Sequence, residues 1–156
     1  MAAEDFDVYA TYNTHISYIK GCKFVHLDIV DKQQVFSLFE RINPDLVIHT
    51  AGLVNVDYCE EHEDEAWVIN MDGTENVALA SKDVEAKLIY ISTDSVFDGK
   101  KGMYTEEDVP HPLTVYAKTK LEGEKRVQRW LPDSIIVRTV FYAVSYTHLR
   151  AHETVL

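Results

Sequence analysis

Short apolar runs alternate along the chain with longer segments in which apolar residues recur every three or four positions. Residues 32–42 show the second pattern, because Val35, Leu38, Phe39 and Ile42 fall on one face of a helix. The short runs are rich in β-branched and aromatic residues and are typical of strands. These patterns predict strands at residues 6–12, 24–27, 46–50, 87–92 and 134–139, and helices at residues 32–42, 60–80 and 114–130.

The order of these elements predicts the fold class. Strands that alternate with helices build βαβ units, so we expect an α/β domain with a mostly parallel sheet. The apolar run at residues 88–91 is expected to be buried on both faces, as in the interior of such a sheet. The alternation is lost near the end of the chain. We therefore expect one partial domain at residues 1–144 and a tail at residues 145–156 that resembles a translated sequencing adapter.

Composition and charge narrow the class of protein. The 156 residues are 46% hydrophobic and 26% charged, an ordinary balance for one globular domain. The formal net charge of −11 at pH 7 argues against a nucleic-acid partner, because phosphate binding needs concentrated Lys and Arg. We find neither an apolar run of ~18 residues nor a basic and apolar leader at the start of the sequence. We therefore expect no membrane partner and a cytoplasmic location.

The spacing of cysteine and histidine predicts no metal site. Cys22 and Cys59 are expected to be free thiols, and neither lies at a spacing typical of metal ligands. His148 and His152 are four residues apart and would share a helix face, but the sequence around them offers no third ligand. We therefore expect no bound metal.

The strongest chemical signal pairs Tyr116 with Lys120. Residues four apart share a helix face, so the phenol and the ammonium are expected to project together. A free phenol has a pKa of about 10, and an adjacent ammonium is expected to lower this pKa toward the range useful for proton transfer. Thr93 follows a predicted strand, at the edge where parallel sheets bind ligands. Its hydroxyl is expected to hold a substrate oxygen beside the phenol.

The residues around this pair carry a family resemblance. The segments STDSVFDG at residues 92–99 and PHPLTVYAKTKLEGE at residues 110–124 are similar to the active-site region of dTDP-4-dehydrorhamnose reductases, which are extended short-chain dehydrogenases/reductases. The resemblance implies a Rossmann-like, doubly wound parallel sheet and a catalytic triad of Thr93, Tyr116 and Lys120. It also implies a nicotinamide cofactor, NADP(H) or NAD(H), which Tyr116 and Lys120 would contact.

Shorter matches extend the resemblance from about residue 6 to residue 142. Asp28 and Ile29, after a short strand, are similar to the adenine contact of the family. Thr50, Ala51 and Gly52, at a strand end, resemble the stretch that lies along the cofactor. The helix pattern of Asn70, Gly73, Thr74 and Asn76 is a further match. Residues 138–142 begin with Arg138 and Thr139 and are similar to the Arg-Thr strand that follows the catalytic helix in the family.

Three departures from the family pattern change what we expect. The first strand with its glycine-rich turn and the C-terminal substrate domain are both missing from the sequence, so the chain is expected to be an internal fragment with an incomplete sheet. Ser95 replaces the tyrosine usual in the family, which puts one substrate contact in doubt. Residues 12–14 offer no acid for a ribose 2′-hydroxyl, which favours NADP(H) over NAD(H).

The resemblance implies that the parent protein reduces a nucleotide-linked 4-keto sugar. The sequence does not decide whether this protein forms a homodimer. Two alternatives remain: a non-catalytic binding protein similar to the regulatory subunit of methionine adenosyltransferase, and a related sugar-nucleotide epimerase or dehydratase. The isolated chain is expected to be inactive and not to bind NADP(H), because it lacks the turn that binds pyrophosphate. Without a central first strand, residues 6–12 are expected to pair directly with residues 46–50, or the first 30 residues to detach from the sheet.

Overall fold

A computed structural model describes residues 6–16, 19–140 and 154–155. Strands and helices alternate through most of this part of the chain, in the order that the sequence predicts. The strands are β1 (Val8–Tyr12), β2 (Cys22–His26), β3 (Leu46–His49), β4 (Lys87–Thr93), β5 (Ile135–Thr139) and β6 (Thr154–Val155). The helices are α1 (Lys32–Ile42), α2 (Val56–Glu61), α3 (Glu63–Trp67), α4 (Thr74–Asp83) and α5 (Val115–Trp130), with a π-helical segment at Val68–Gly73 and a 3₁₀ turn at Asp94–Val96.

Parallel pairing dominates the strands and confirms the α/β fold class. One sheet has the order β3-β4-β5, with both pairs parallel. The other has the order β2-β1-β6, in which β1 and β2 are parallel and β6 is antiparallel to β1. In the first sheet Ile89 lies between Ile48 and Ile135, and Thr93 lies opposite Thr139. The carboxyl ends of these strands therefore share one edge, where α/β sheets bind their ligands.

The first strand meets only one of the two expectations for it. Direct pairing of β1 with β3 was wrong, whereas β1 and β2 do lie in a separate sheet from β3, where β1 also pairs with β6. β6 also contacts β3 and so lies between the two sheets. Leu27 and Ile29, which follow β2, are buried in the main core. The physical reason is that an added strand satisfies the open backbone edge of β1, so direct pairing with β3 is not needed.

The prediction of a single helix at residues 60–80 was wrong. The helical region begins before residue 60 and is interrupted twice. The helical region begins earlier, because the Asn55 side chain accepts a hydrogen bond from the Tyr58 amide and caps α2. His62, with φ −129°, then separates α2 from α3. A π-helical turn separates α3 from α4, and such turns are frequent at functional sites. The acidic run at residues 60–65 signalled a helix but not these interruptions.

The main core lies between the helices and the β3-β4 pair. Leu88 and Tyr90 of β4 are buried in it, whereas Ile89 and Ile91 on the opposite face of the strand are half-buried. The prediction that residues 88–91 are buried on both faces is therefore confirmed for one face only. The other face of the sheet is covered less completely. The remaining core residues are Leu27, Ile29, Val35, Leu38, Phe39, Val47, Val77, Ala78, Ala80, Ala86 and Val127.

Gly123 marks the closest approach of α5 to its neighbours and provides a test of this packing. A Cβ at this position would lie 2.6 Å from the Tyr90 hydroxyl oxygen and 2.8 Å from the Asn70 carbonyl oxygen. Gly123→Ala is therefore expected to lower the free energy of unfolding by about 1–3 kcal/mol, despite the higher helix propensity of alanine. Urea denaturation measures the change. Lys118→Ala, at an exposed position of the same helix, should change it by less than about 0.5 kcal/mol. Equal stability of the two variants would show that α5 has room to move.

Several expectations concern absences or lie outside the described residues. Within residues 6–16, 19–140 and 154–155, we find no helix with the length and apolar character needed to cross a bilayer. Over the same residues, no group of three or more His, Cys, Asp or Glu could hold a metal ion. Cys22 and Cys59 are free. The expected tail at residues 145–156, apart from β6, lies outside the part of the chain that the structure describes, as do His148 and His152.

Candidate active site

Thr93 ends β4 at the carboxyl edge of the β3-β4-β5 sheet. It is 6% exposed, so its hydroxyl has little freedom to adopt other positions. The hydroxyl oxygen accepts a hydrogen bond from the Ser95 amide at 3.2 Å and caps the 3₁₀ turn that follows. It also interacts with the Tyr116 phenol, whose pKa it lowers. The end of this strand therefore places the Thr93 hydroxyl near the phenol.

Tyr116 lies in the first turn of α5, which two capping groups hold in place. The Thr114 hydroxyl accepts a hydrogen bond from the Ala117 amide at 3.2 Å. The Glu60 carboxylate, from α2, accepts one from the Val115 amide at 2.6 Å. A carboxylate is favourable at this end of a helix because the helix dipole is positive there. These contacts fix the direction in which the phenol leaves the helix.

Lys120 lies one turn further along α5 and is almost completely buried, at 3% exposure. Its Nζ donates a hydrogen bond to the Ile91 carbonyl at 2.8 Å and lies 4.2 Å from the centroid of the Tyr90 ring. Burial lowers the pKa of the Lys120 ammonium to about 7, although Glu124 opposes this change. Lys120 therefore changes charge in the neutral pH range, which is a common property of functional lysines.

The expected effect of Lys120 on Tyr116 is not what the structure shows. Burial raises the pKa of the Tyr116 phenol, and Thr93 offsets part of this rise. The negative potentials of Cys59 and Asp94 raise this pKa further. The expectation of a lowered phenol pKa was wrong, because desolvation is the largest cause of the shift and Lys120 is not among the groups that produce it. The phenol consequently holds its proton at neutral pH, the form that a proton donor needs.

The loop after β3 brings its predicted cofactor contacts close to Lys120. Asn70, which is buried in the π-helical segment, donates to the Leu53 carbonyl at 3.0 Å and accepts from the Leu53 amide at 2.7 Å. A Cβ on Gly52 would lie 2.8 Å from the Asn70 side-chain oxygen and 4.0 Å from Lys120 Nζ. Glycine is thus required at this position by a close contact. Thr50 and Ala51 precede it in the same half-buried loop.

Asp28 and Ile29 lie after β2, at the end of the other sheet. The Asp28 carboxylate accepts a hydrogen bond from the Val30 amide at 3.0 Å. Ile29 is buried, and its side chain packs where a Cβ on Gly73 would lie, at 2.8 Å. Asn76 donates to the Ile29 carbonyl at 3.0 Å and so ties this loop to α4. The Ile29 side chain is thus taken up by packing, whereas the Asp28 side chain is half-buried.

The helix pattern of Asn70, Gly73, Thr74 and Asn76 is explained by contacts between elements. Asn70 also donates to the Thr119 hydroxyl at 3.0 Å, which links it to α5. Thr74 bonds to His49 of β3 at 3.0 Å. Together with Gly73 and Asn76, these residues hold the loops after β2 and β3 against one helical region. Their contacts therefore fix the positions of these two loops.

A group of polar residues that the sequence analysis missed lies beneath the site. The buried Glu124 carboxylate accepts hydrogen bonds from the Ser92 hydroxyl at 2.5 Å and from the Arg138 guanidinium at 2.7 Å. Arg138 lies on β5, and Ser92 directly precedes Thr93. The sequence did contain one sign of Glu124. This residue lies four positions after Lys120, just as Lys120 lies four positions after Tyr116.

An open groove of about 920 Å³ lies beside these residues. The exposed side of β5 and the loop after β4 form its walls, and Glu124 and Arg138 contribute to its lining. Ser95, which stands where the family usually has tyrosine, is exposed and also lines the groove. Within the loop, Phe97 stacks on Tyr104 with ring centroids 4.4 Å apart. The groove is large enough for a ligand of substantial size.

Comparison with known proteins decides the family. Residues 1–148 match the family model described as RmlD substrate binding domain. The chain belongs to this family. The match confirms the resemblance drawn from residues 92–99 and 110–124, and it covers nearly the whole chain.

Curated relatives of the chain have two kinds of name. The chain is 40% identical over 117 residues to the dTDP-4-dehydrorhamnose reductase of Aggregatibacter actinomycetemcomitans, which covers 74% of this chain and 40% of the relative. It is 38% identical over 127 residues to methionine adenosyltransferase 2 subunit beta of Bos taurus, which covers 77% of this chain and 38% of the relative. The chain thus spans about 40% of the length of these curated relatives.

Solved structures agree with this membership. A dTDP-4-dehydrorhamnose reductase from Clostridium acetobutylicum is 41% identical, with a TM-score of 0.72 over 78% of this chain and 45% of its own. The enzyme of the same name from Bacillus anthracis, solved in complex with NADP, is 38% identical with a TM-score of 0.71, over 76% of this chain and 45% of its own. UDP-glucose 4-epimerase from Brucella ovis has a TM-score of 0.80 at 21% identity, over 88% of this chain and 45% of its own, which shows the shared Rossmann-like fold.

Proposed function

We propose that the chain is the catalytic portion of an NADP(H)-dependent reductase that acts on a nucleotide-linked 4-keto sugar. The observation that carries the proposal is the position of Thr93 at the end of β4, of Tyr116 in the first turn of α5 and of buried Lys120 one helical turn further along. A protonated phenol, a second hydroxyl and a titrating ammonium are the groups that carbonyl reduction needs at the oxygen atom. The reductase relatives support the same chemistry.

Each residue has a separate part in this reaction. Thr93 orients the carbonyl oxygen by a hydrogen bond, and Tyr116 donates its proton to that oxygen. The raised pKa of Tyr116 keeps the proton available until the carbonyl oxygen becomes basic. Lys120, when it is charged, stabilises the phenolate left behind, because an ammonium near a phenolate favours the charged form. General acid catalysis of this kind contributes ~10²–10⁴-fold to the rate.

The loops at this edge of the sheet fit a nicotinamide cofactor. The loop at Thr50, Ala51 and Gly52 approaches Lys120 without a side chain at Gly52, and the Asn70 side chain holds it there. Asp28 and the backbone of Ile29 would meet the adenine end, while Tyr116 and Lys120 would hold the nicotinamide ribose. Bound there, the cofactor supplies the hydride to the carbonyl carbon. The exposed residues 13–16 after β1 include no acid, which favours NADP(H).

A non-catalytic role is the second candidate, because several relatives are named as subunits of methionine adenosyltransferase. Retention of Thr93, Tyr116 and Lys120 does not separate the two functions, since a binding protein can keep all three. The likeness to an epimerase rests on 21% identity and supports the fold only. Turnover of substrate is therefore the property that distinguishes them.

The direct test uses the protein in its full natural length, with dTDP-4-dehydrorhamnose as substrate. Loss of NADPH absorbance that depends on the sugar is expected, with NADPH used more efficiently than NADH. Cofactor binding without turnover would contradict the reductase function and favour the regulatory one. For the 156-residue chain alone, inactivity and failure to bind NADPH stay predictions, which a fluorescence titration with NADPH measures.

A further inference from the structure

Glu124 is a buried carboxylate on the helix that carries Tyr116 and Lys120. The three residues follow one another at intervals of four, so they share one face of α5. Glu124 is only 2% exposed, and glutamate is almost never buried to this degree unless it is paired. The reaction proposed above does not use Glu124, so its burial needs a separate explanation.

Two other elements hold the Glu124 carboxylate in place. Arg138 of β5 binds it with two nitrogen atoms, Nε at 3.0 Å from Oε1 and Nη2 at 2.7 Å from Oε2. The Ser92 hydroxyl of β4 donates to Oε1 at 2.5 Å. Paired contacts of this type fix a carboxylate in direction as well as in position. The negative charge of Glu124 is therefore held at a constant place relative to α5.

Three of the titratable groups around Lys120 are neutral at pH 7. Burial lowers the pKa of His49, on β3, to about 3. Burial raises the pKa of Tyr90, on β4, and that of Tyr116, on α5 itself. Glu124 is the negative group that favours the ammonium form of Lys120 against the effect of burial, and Arg138 of β5 is the charged partner of Glu124.

We propose that Glu124 is a positioning residue, whose fixed charge keeps Lys120 charged at the base of the active site. Arg138 and Ser92 hold Glu124 so that its charge lies one helical turn from Lys120 and is fixed there. With this charge in place, Lys120 can stabilise a phenolate at Tyr116 and bind ribose hydroxyls near neutral pH. Without the charge of Glu124, Lys120 becomes a neutral amine. A neutral amine stabilises a phenolate much less well than an ammonium does. The catalytic consequence rests on the proposed function, but the charge of Lys120 can be measured without it.

The test is a pH titration of Lys120 by NMR, in the 156-residue chain with lysine labelled with ¹³C at Cε. Glu124→Gln should lower the midpoint of Lys120 by about one pH unit, since a nearby opposite charge has been removed. Glu122→Gln is the matched control, because Glu122 lies on the same helix and pairs with Lys125 and Arg126 instead. Its Lys120 midpoint should equal that of the wild type. An unchanged midpoint in Glu124→Gln would overturn the proposal.

A second variant covers the case in which Glu124→Gln does not fold. Removing one partner of a buried ion pair leaves the other charge uncompensated, which is strongly destabilising. The double variant Glu124→Gln/Arg138→Met removes both charges and keeps an acceptor for Ser92. Its Lys120 midpoint should lie below that of Arg138→Met, which removes only the positive charge and leaves Glu124 in place. A midpoint equal to that of Arg138→Met would overturn the proposal.

Activity of the protein in its full natural length separates this inference from the proposed function. Glu124→Gln should lower kcat more than it changes the KM for the sugar, and the alkaline limb of the pH profile should move to lower pH. Glu124→Asp should recover part of the loss. A wild-type protein without reductase activity would contradict the proposed function and leave the NMR result standing. Normal activity of Glu124→Gln with an unshifted Lys120 would contradict this inference alone.

Discussion

Tyr116→Phe, in the protein at its full natural length, is expected to lower the rate of carbonyl reduction by about 10²- to 10⁴-fold. The substitution removes the phenol oxygen that donates the proton but keeps the aromatic ring, which packs against the cluster of Cys59, Ala66 and Val115. Affinity for the cofactor should therefore stay near that of the wild type. Steady-state kinetics with the keto sugar and NADPH measure the first quantity, and equilibrium titration with NADPH measures the second.

Tyr58→Phe is the matched control for this variant. The Tyr58 hydroxyl is also hydrogen-bonded, to Glu65, but it lies on the exposed side of α2. Its loss should leave the rate within a factor of about two, as expected for a surface change. If Tyr116→Phe kept most of its kcat, proton donation would have to be assigned to another group, and Thr93 would be the first to test.

Lys120→Met is expected to slow reduction and to stabilise the fold at the same time. The loss of rate should be on the order of 10²-fold, because the charge that stabilises the phenolate is removed. The gain in stability arises because the pKa of Lys120 is about 7 in the folded protein, against 10.5 in its ordinary state. Below pH 7 the folded protein must hold a buried charge that the unfolded chain carries in water.

The sign of the pH dependence follows from this depressed pKa. The cost of burying the ammonium is complete below about pH 7 and disappears as the pH rises toward 10.5. Lys120→Met should therefore raise the free energy of unfolding at pH 6 by on the order of 3 kcal/mol, after allowance for the lost bond to the Ile91 carbonyl. The gain should vanish by pH 10.

Urea denaturation of the wild type and of Lys120→Met, at pH 6 and at pH 10, checks this expectation. Lys118→Met is the control, since Lys118 lies two residues away on the same helix and is exposed. Its effect should be small and equal at both pH values. A stability difference for Lys120→Met that does not change with pH would show that Lys120 is charged in the fold throughout this range.

Local patterns were sufficient for the elements whose own residues decide their form. The apolar spacing of Val35, Leu38 and Phe39 predicted α1 with its observed bounds, and these side chains are buried as the pattern requires. The pair of Tyr116 and Lys120 was found for the same reason, because four-residue spacing places two side chains on one helix face whatever the surroundings. The predicted position of Thr93 at a strand end was also confirmed.

Contacts between distant parts of the chain could not be predicted in this way. The partners of Glu124 are Ser92 and Arg138, which lie 32 and 14 residues away in the sequence. The pairing of β1 with β6 joins residues more than 140 positions apart, so no local pattern could have predicted it. The π-helical turn at Val68–Gly73 accompanies contacts of Asn70 with Leu53 and Thr119, which belong to other elements.

The sequence by itself determined the α/β class, the family and the three residues of the candidate triad, since each depends on local spacing or on short motifs. The tertiary structure decided the state of those residues. The pKa of Tyr116 is raised and that of Lys120 is lowered because both side chains are buried, and burial is a property of the packed fold. Desolvation depends on every element that surrounds a group, which is why a phenol expected to lose its proton more easily in fact holds it more firmly.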